Sequence, residues 1–280
     1  MTTTTLHAAG RTVGRYVHRP ELPGRLSPRP YLHPLTTLAG VPVTEFMPGD
    51  HLHHLGVSVA VPDVEGRNFW GGRTYVRDRG PTELDDHGVQ EHLGLLRGGP
   101  DGFTEELSWR SGDRELLRER RTVAARALGA DCWALDVTFA LANPGERELS
   151  IGSPATNGRP GAGYGGFFWR APAGPERPRV FTAEAEGERA VHGRAADWLA
   201  LSGGGWTLVF AGVTAVTRRD PWFVRAAEYP GVGSSLAWDR RLPVPAGGTV
   251  TRRITTAVAD GRLGPEQAGA LARRLVEGSG

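Results

Sequence analysis

The segment PGDHLHHLG, residues 48–56, carries His51, His53 and His54 within a four-residue span, beside Asp50. Imidazole titrates near neutral pH and a neighbouring carboxylate sets its tautomer, so such a set can accept and return protons in acid/base catalysis. The same residues suit a metal. If the segment is extended, His51 and His53 project from one face and His54 from the other, and a His-x-His pair offers two nitrogens to zinc, copper or iron. Asp50 would then orient one imidazole from behind. The competing reading is a surface turn whose histidines bond only to backbone.

Three further clusters hold residue types that strand patterning does not explain. DDHGVQEH contains Asp85, Asp86, His87, Glu91 and His92. It could supply a catalytic imidazole at His87 or a distant third metal ligand, and a solvated loop is the plain alternative. SPATNGRPGAGYGGFFWR joins a turn with Asn157 and Arg159 to Tyr164 and Trp169. Its GAGYGG passage is not followed by the Lys-Ser/Thr of a phosphate loop, whereas Asn, Arg and aromatic rings suit sugar hydroxyls and sugar faces. RDPWFVRAAEYPGVGSSLAWD sets Arg225 between aromatics, with Trp222, Glu228, Tyr229 and Trp238 nearby. Arg29 and His33, just upstream of the histidines, are counted with the substrate-binding groups.

These clusters need a frame, and the sequence supplies strands. In CWALDVTFAL, Trp133, Leu135, Val137, Phe139 and Leu141 share one face, the period of a half-buried strand. VTEFM, LGVSVAV, NFWGGRTYV, ELLRERRTVAAR, GGFFWRA, WTLVFAGVTAV and TVTRRITTAV also read as strands, cut by turn clusters such as NPGE and SGGG. The one helix expected lies at 265–277, with Pro265 in its first turn, Ala268, Leu271, Ala272 and Leu275 at helical spacing, and Gly278 as its stop. No fixed-period repeat or long linker divides the chain. The expectation is one all-β domain over 1–280, a large two-sheet antiparallel β-sandwich with one C-terminal helix.

Composition narrows the classes further. With 280 residues the chain can bury a sizeable core, and its formal net charge of +2 gives no electrostatic case for nucleic acid or membrane. A lone cysteine, Cys132, excludes an internal disulfide and fits a reducing compartment. No window approaches the ~20 apolar residues of a membrane span, and the first residues lack an apolar signal core. A cytoplasmic location is expected, and exposed strand edges make a homodimer an expectation too.

Taken together, SPRPYLHPLTTLAGVPVTEFMPGDHLHHLG, NFWGG, SPATNGRPGAGYGGFFWR and DPWFVR with YPGVGSSLAWD resemble the bacterial PmoA-like family, named for a supposed relation to methane oxygenase. The resemblance is carried most by Asp50, His51, His53, His54 and Gly56, and by Asn68-Phe69-Trp70-Gly71. It implies a galactose-mutarotase-like supersandwich and carbohydrate metabolism. The name itself does not imply an activity, because methane oxygenase subunits span the membrane and this chain has no such segment.

Three functions compete. The first is an enzyme acting on a sugar or glycosylated small molecule by hydrolysis, elimination or isomerisation, with His51 or His53 as acid or base and Asp50 as its orienting partner. In it Asn157, Arg159 and Arg225 position substrate oxygens, and Tyr164, Trp169 and Trp222 stack on the substrate. The second is a metal-dependent enzyme such as an oxygenase, with a divalent metal on His51 and His53 and a third ligand from His54, His87, Glu91 or His92. The third is a noncatalytic carbohydrate-binding module.

Overall fold

The computed structural model describes residues 2–99 and 101–277. In chain order its strands begin with β1 (Thr3–Ala8), β2 (Arg11–Val17), β3 (Tyr31–Leu35), β4 (Val57–Ala60), β5 (Asp63–Val64), β6 (Thr74–Val76) and β7 (Gly80–Thr82). The long central strands follow: β8 (Val89–Gly99), β9 (Gly102–Ser111), β10 (Arg114–Ala127) and β11 (Cys132–Ala142). After them come β12 (Leu149–Gly152), β13 (Gly166–Arg170), β14 (Arg179–Phe181), the short helix α1 (Glu188–Val191), β15 (Trp198–Gly203) and β16 (Trp206–Gly212). The chain closes with β17 (Trp222–Arg225), β18 (Gly231–Ser235), β19 (Leu242–Val244), β20 (Thr249–Asp260) and α2 (Pro265–Glu277).

Two large sheets form from these. One has seven strands in the order β1-β2-β3-β4-β13-β18-β17, the other eight in the order β14-β15-β16-β20-β11-β10-β9-β8. Their strand pairs are antiparallel. The expected two-sheet β-sandwich with a C-terminal helix is therefore the observed architecture.

Alternation explains how the layers pack. The inner faces meet in one large core in which Trp133, Leu135, Val137, Phe139 and Leu141 of β11 lie with Phe167 and Trp169 of β13 and with Trp222 and Val224 of β17. The other face of β11, with Cys132 and Ala134, lies under α2, whose Ala268, Leu271, Ala272 and Leu275 complete that layer. Burial there pushes the Cys132 thiol up to about 12, so it stays protonated and inert. Pro265 opens α2, and the side-chain oxygen of Gln267 accepts the backbone N–H of Gly264 at 3.1 Å, a cap of the kind that satisfies free helix-end donors. The expected stop, Gly278, lies outside the described residues.

Of the expected strands, VTEFM is a loop and NFWGGRTYV is one up to Arg73, its last three residues forming β6. In VTEFM only Phe46 makes a ladder contact, an isolated bridge to Leu55. In NFWGG, Asn68 Oδ1 accepts the N–H groups of Trp70 and Gly71, both at 2.8 Å. That side-chain turn competes with a strand ladder and curls the backbone, with Gly71 and Gly72 at φ 99° and 70°. Among the described residues no helix is long and apolar enough to cross a membrane.

Candidate functional site

The outer face of the seven-stranded sheet carries an aromatic layer of its own. Phe168 of β13 and Phe223 of β17 point outward beside Ala60 and Trp70, with Tyr164, Tyr229 and Trp238 packed against them. The helix α2 packs on the other sheet and does not cover this layer. Loops do, and between them opens a cleft of about 600 Å³, within the size of small-molecule sites. Asp50, His51, His53 and His54 line it from one loop, Trp70 and Arg73 from a second, and Arg159 and Tyr164 from a third. Phe223, Arg225 and Glu228 close the far side, Tyr229 packs against His51 with ring centroids 4.7 Å apart, and Arg25 sits at the rim.

The histidine segment is a double turn and not a strand. His51 N–H bonds to Pro48 O and His54 N–H to His51 O, each at 2.9 Å. Its ends are fastened to the sheet: Met47 N–H to His54 O at 2.8 Å, Gly56 N–H to Glu45 O at 3.0 Å and Arg170 N–H to Gly56 O at 2.8 Å. Gly56 has φ 61°, and a Cβ there would stand 2.2 Å from Leu32 O, so the turn needs glycine at that point. The expected split of the histidines is corrected by this geometry. The ring centroids of His51 and His54 are 4.5 Å apart and stacked, those of His53 and His54 4.8 Å, and those of His51 and His53 5.7 Å. All three imidazoles form one cluster.

Within it the roles differ. His51 Nδ1 is 2.8 Å from Asp50 Oδ2, and being the donor to a carboxylate it leaves the lone pair on Nε2. Among the described residues Nε2 of His51 meets no hydrogen-bonding partner. Arg170, buried beneath the turn, contacts both Asp50 oxygens at 3.3 Å. Partial burial alone would raise the Asp50 carboxyl, but the bonds from His51 and the Arg170 guanidinium outweigh it and hold the group below the usual carboxylate range. Asp50 is therefore an anion that orients His51.

His53 and His54 are kept neutral. Burial, then the positive fields of Arg29, His51 and His87, lower His53 to about 3 against a smaller opposing effect of Asp50. Burial, the neighbouring imidazoles and the guanidinium groups of Arg170 and Arg29 push His54 well down as well. Arg170 Nη1 stands 3.4 Å from His54 Nδ1 and can only donate, so that nitrogen is the acceptor. His53 packs edge-on to glycine backbone: a Cβ on Gly72 would stand 2.8 Å from its Nδ1.

The opposite wall is built around Arg225. Its guanidinium lies 4.6 Å over the Phe223 ring and donates from Nη1 to His192 Nδ1 at 3.1 Å. His192 also accepts from Val224 N–H at 3.1 Å and donates from Nε2 to Gly161 O at 2.8 Å, which fixes its tautomer. Tyr164 packs 4.6 Å from Trp70 and 5.3 Å from Phe223. Burial raises the phenol of Tyr164 against lesser opposing effects of Arg159 and Arg225, and burial likewise raises Tyr229 against Arg225 and Arg170. Both remain hydrogen-bond donors. Arg73 is paired with Glu83 at 2.9 Å, whereas Arg25 and Arg159 have no carboxylate partner among the described residues.

Other candidates lie elsewhere. Arg29 is buried and donates to Ser58 Oγ and to the carbonyls of Leu26, Ser27, Trp70 and His53, so it braces the loops and cannot reach a ligand. His33 bonds to Thr44 Oγ1 at 3.0 Å and stacks on Phe46, outside the cleft lining. Asn157 donates to Asp63 Oδ2 at 3.0 Å. Trp169 and Trp222 point into the core, where their indole N–H groups donate to Val43 O at 2.7 Å and Ala196 O at 2.9 Å. Their chain neighbours, one register step away, face the cleft side: Phe223 lines the cleft, and Phe168 lies buried beneath Trp70 and His54. His87 does not line the cleft: its Nε2 bonds to Gly72 O at 2.7 Å, behind His53. Glu91 is exposed on β8, and His92 belongs to a separate buried cluster with His18 and Glu105.

Trp70, Phe223, Tyr229 and His192 were not among the site residues expected from sequence. Trp70 and Tyr229 stood in conspicuous segments, but His192 in AVHGR carries no local signal.

The family model that matches, over residues 3–273, is described as a family of unknown function, DUF6807. This overturns the resemblance to the PmoA-like family, since nothing in the match links the chain to methane oxygenase. No curated protein matches the sequence. Among solved structures, the Slr1438 protein of Synechocystis sp. PCC 6803 aligns with a TM-score of 0.47 at 10% identity, covering 93% of this chain and 96% of that one. A galactose mutarotase-like protein of Lactobacillus casei aligns with a TM-score of 0.46 at 8% identity, covering 92% and 100%. A polysaccharide lyase aligns with a TM-score of 0.35 at 11% identity over 90% of this chain and 33% of its own.

Proposed function

Because the chain belongs to the DUF6807 family of unknown function, its activity has to be read from the cleft, and we propose an enzyme that moves a proton on a sugar or sugar-like small molecule. The observation that carries this reading is the Asp50–His51 pair at the wall of a cleft lined by Trp70, Tyr164, Phe223 and Tyr229. An imidazole whose Nδ1–H is held by an anionic carboxylate presents a basic Nε2, and aromatic faces beside arginines suit a polyhydroxylated ring.

Elimination or isomerisation fits better than hydrolysis by paired carboxylates. Glycosidases of that kind need two free carboxyl groups facing the scissile bond. Of the three carboxylates lining the cleft, Asp50 is engaged by His51 and Arg170 and Glu83 by Arg73, which leaves Glu228 alone without an ion-pair partner among the described residues. In the proposed step His51 Nε2 takes a proton from the carbon beside a substrate carbonyl. The electron pair moves onto the carbonyl oxygen as an enediolate, which Arg159 or Arg225 stabilises by charge-assisted hydrogen bonds. Return of the proton to the neighbouring carbon, with the hydroxyl proton passing from one enediolate oxygen to the other, completes an isomerisation; re-formation of the carbonyl with expulsion of a hydroxyl or alkoxyl group from the next carbon, protonated by the His51 imidazolium, completes an elimination. A metal on His51 and His53 is less favoured, because the guanidinium groups of Arg170 and Arg29 stand against the same cluster.

The test is turnover of a panel of ketosugars and glycosides by wild type and His51→Ala. Loss of about 10²–10⁴-fold in kcat is expected from removing a general base. Undiminished turnover in His51→Ala sinks the reading. Sugar binding that survives the substitution, with no turnover by either protein, points to a noncatalytic binding module.

A further inference from the structure

One margin of the sandwich holds a buried cluster that the cleft does not use. His18, directly after β2, His92 on β8 and Glu105 on β9 bring one ligand atom each within 4.8 Å of one another. His18 Nδ1 lies 2.8 Å and His92 Nδ1 2.6 Å from the same oxygen, Glu105 Oε2. We propose that this cluster binds one divalent transition-metal ion of the zinc class and that the ion clamps the seven-stranded sheet to the eight-stranded one.

Two imidazole nitrogens and one carboxylate oxygen are a donor set that suits zinc and its neighbours, with a water completing the shell. The backs of two of the three ligands, His18 and Glu105, are tied as metal ligands usually are. His18 Nε2 lies 2.8 Å from Thr4 Oγ1 on β1, and Glu105 Oε1 accepts a short hydrogen bond from Tyr16, whose oxygen in turn accepts from Arg121 at 2.9 Å. Both Nδ1 atoms aim at the point now filled by Oε2. An ion takes that point, and the carboxylate ligates it by turning about its Tyr16-held oxygen. His18 then carries its proton on Nε2, where Thr4 accepts it.

Access is available. β1 and β8 are both edge strands, and His92 is 8% exposed while Glu105 is sealed, so an ion and its water arrive past His92. Arg121 pairs with Glu119 and reaches Glu105 only through the Tyr16 hydroxyl, so Glu105 has no guanidinium in direct contact among the described residues, which favours a cation there. None of His18, His92 and Glu105 lines the candidate cleft, so the ion's role is structural.

The test uses untagged full-length protein stripped with a chelator and titrated with Zn²⁺ or Co²⁺. Expected are one equivalent by elemental analysis, visible absorption of four- or five-coordinate Co²⁺, and a rise in Tm. His92→Ala removes uptake. Thr4→Val, a conservative change on an edge strand that keeps the fold testable if His92→Ala does not fold, weakens binding about 10–100-fold. His53→Ala retains the full equivalent. No uptake and no Tm change in stripped wild type overturns the proposal, as does full uptake by His92→Ala or an affinity that Thr4→Val leaves unchanged.

Discussion

Arg29 Nη2 donates to the backbone carbonyl of His53 at 2.6 Å, so a side chain sealed inside the protein holds the main chain of the histidine turn from below. The same guanidinium also fixes the carbonyls of Leu26, Ser27 and Trp70, and thus three loops at once. Burial and the field of Arg121 lower Arg29 to about 9, which still leaves it charged at neutral pH.

Replacing Arg29 with Met orphans four carbonyls. Each buried unsatisfied group costs about 1–3 kcal/mol, partly relieved by relaxation and water, so a net loss of about 2–4 kcal/mol is expected. A denaturant midpoint that falls at constant m-value checks this. Arg29→Lys restores little, because an ammonium cannot reproduce the planar fork. An unchanged midpoint in Arg29→Met contradicts the bracing role.

Asp50→Asn keeps the shape of the turn but removes the anion that orients His51 and faces Arg170. The expected effect is a fall in kcat of about 10–100-fold with KM less affected, since the tautomer and charge of the base change and the cleft wall does not. Steady-state kinetics on any substrate turned over by wild type measures it. Equal kcat in both proteins removes Asp50 from the mechanism.

Acid destabilises the protein through His53 in a window that follows from its depressed folded pKa. The unfolded residue takes a proton near its ordinary 6.5, the folded one only near about 3. Between those values the unfolded chain binds the additional proton, so stability is full above about pH 6.5 and falls as pH drops toward 3. The slope from one such imidazole approaches about 1.4 kcal/mol per pH unit. Asp50 adds a loss at lower pH, as pH falls through its own depressed folded value. Unfolding midpoints from pH 7.5 to 4.5 for wild type and His53→Gln isolate the effect. The difference between the two profiles should shrink steadily with acid, and parallel profiles would falsify it.

Core and cleft aromatics separate experimentally. Trp222→Ala opens a void in the core and is expected to cost about 3–5 kcal/mol, with ligand affinity of the folded protein changed little. Tyr164→Ala, at the cleft wall, should weaken sugar binding by roughly tenfold at a smaller cost in stability. Calorimetric titration and thermal unfolding of the two variants give the comparison, and the reverse pattern would place the binding surface in the wrong register.

The sandwich was legible because its long strands alternate cleanly: β11 has its large side chains on the inner face and small ones under α2. The first hairpin was not, because its two-residue turn is Ala9-Gly10, at φ 50° and 73°, without the Asn-Gly or Asp-Gly that announces such turns. The histidine turn and Asp50 stood out by residue type. Their mutual geometry did not, since an alternation argument assumes an extended chain and residues 48–54 close two consecutive turns instead. Of the three stacking candidates Tyr164 lines the cleft, and Trp169 and Trp222 miss it by one residue for a related reason. Tryptophan is the conspicuous member of FFWR and PWFVR, yet in both segments the sheet pleat turns it inward and presents a phenylalanine to the ligand side. Arg29 shows the limit of composition: an arginine beside a histidine cluster looks like a ligand clamp, and only its contacts reveal a strut.

The two outer faces of the sandwich are covered by different means, one by α2 and the other by the loops that also line the cleft. Those loops are therefore weatherproofing as well as binding apparatus. Exchanging one wholesale would bare Phe168 and Phe223 to water, so single changes at the rim, at Arg25, Arg73 or Arg159, should alter the cleft at a smaller cost in stability than loop replacement.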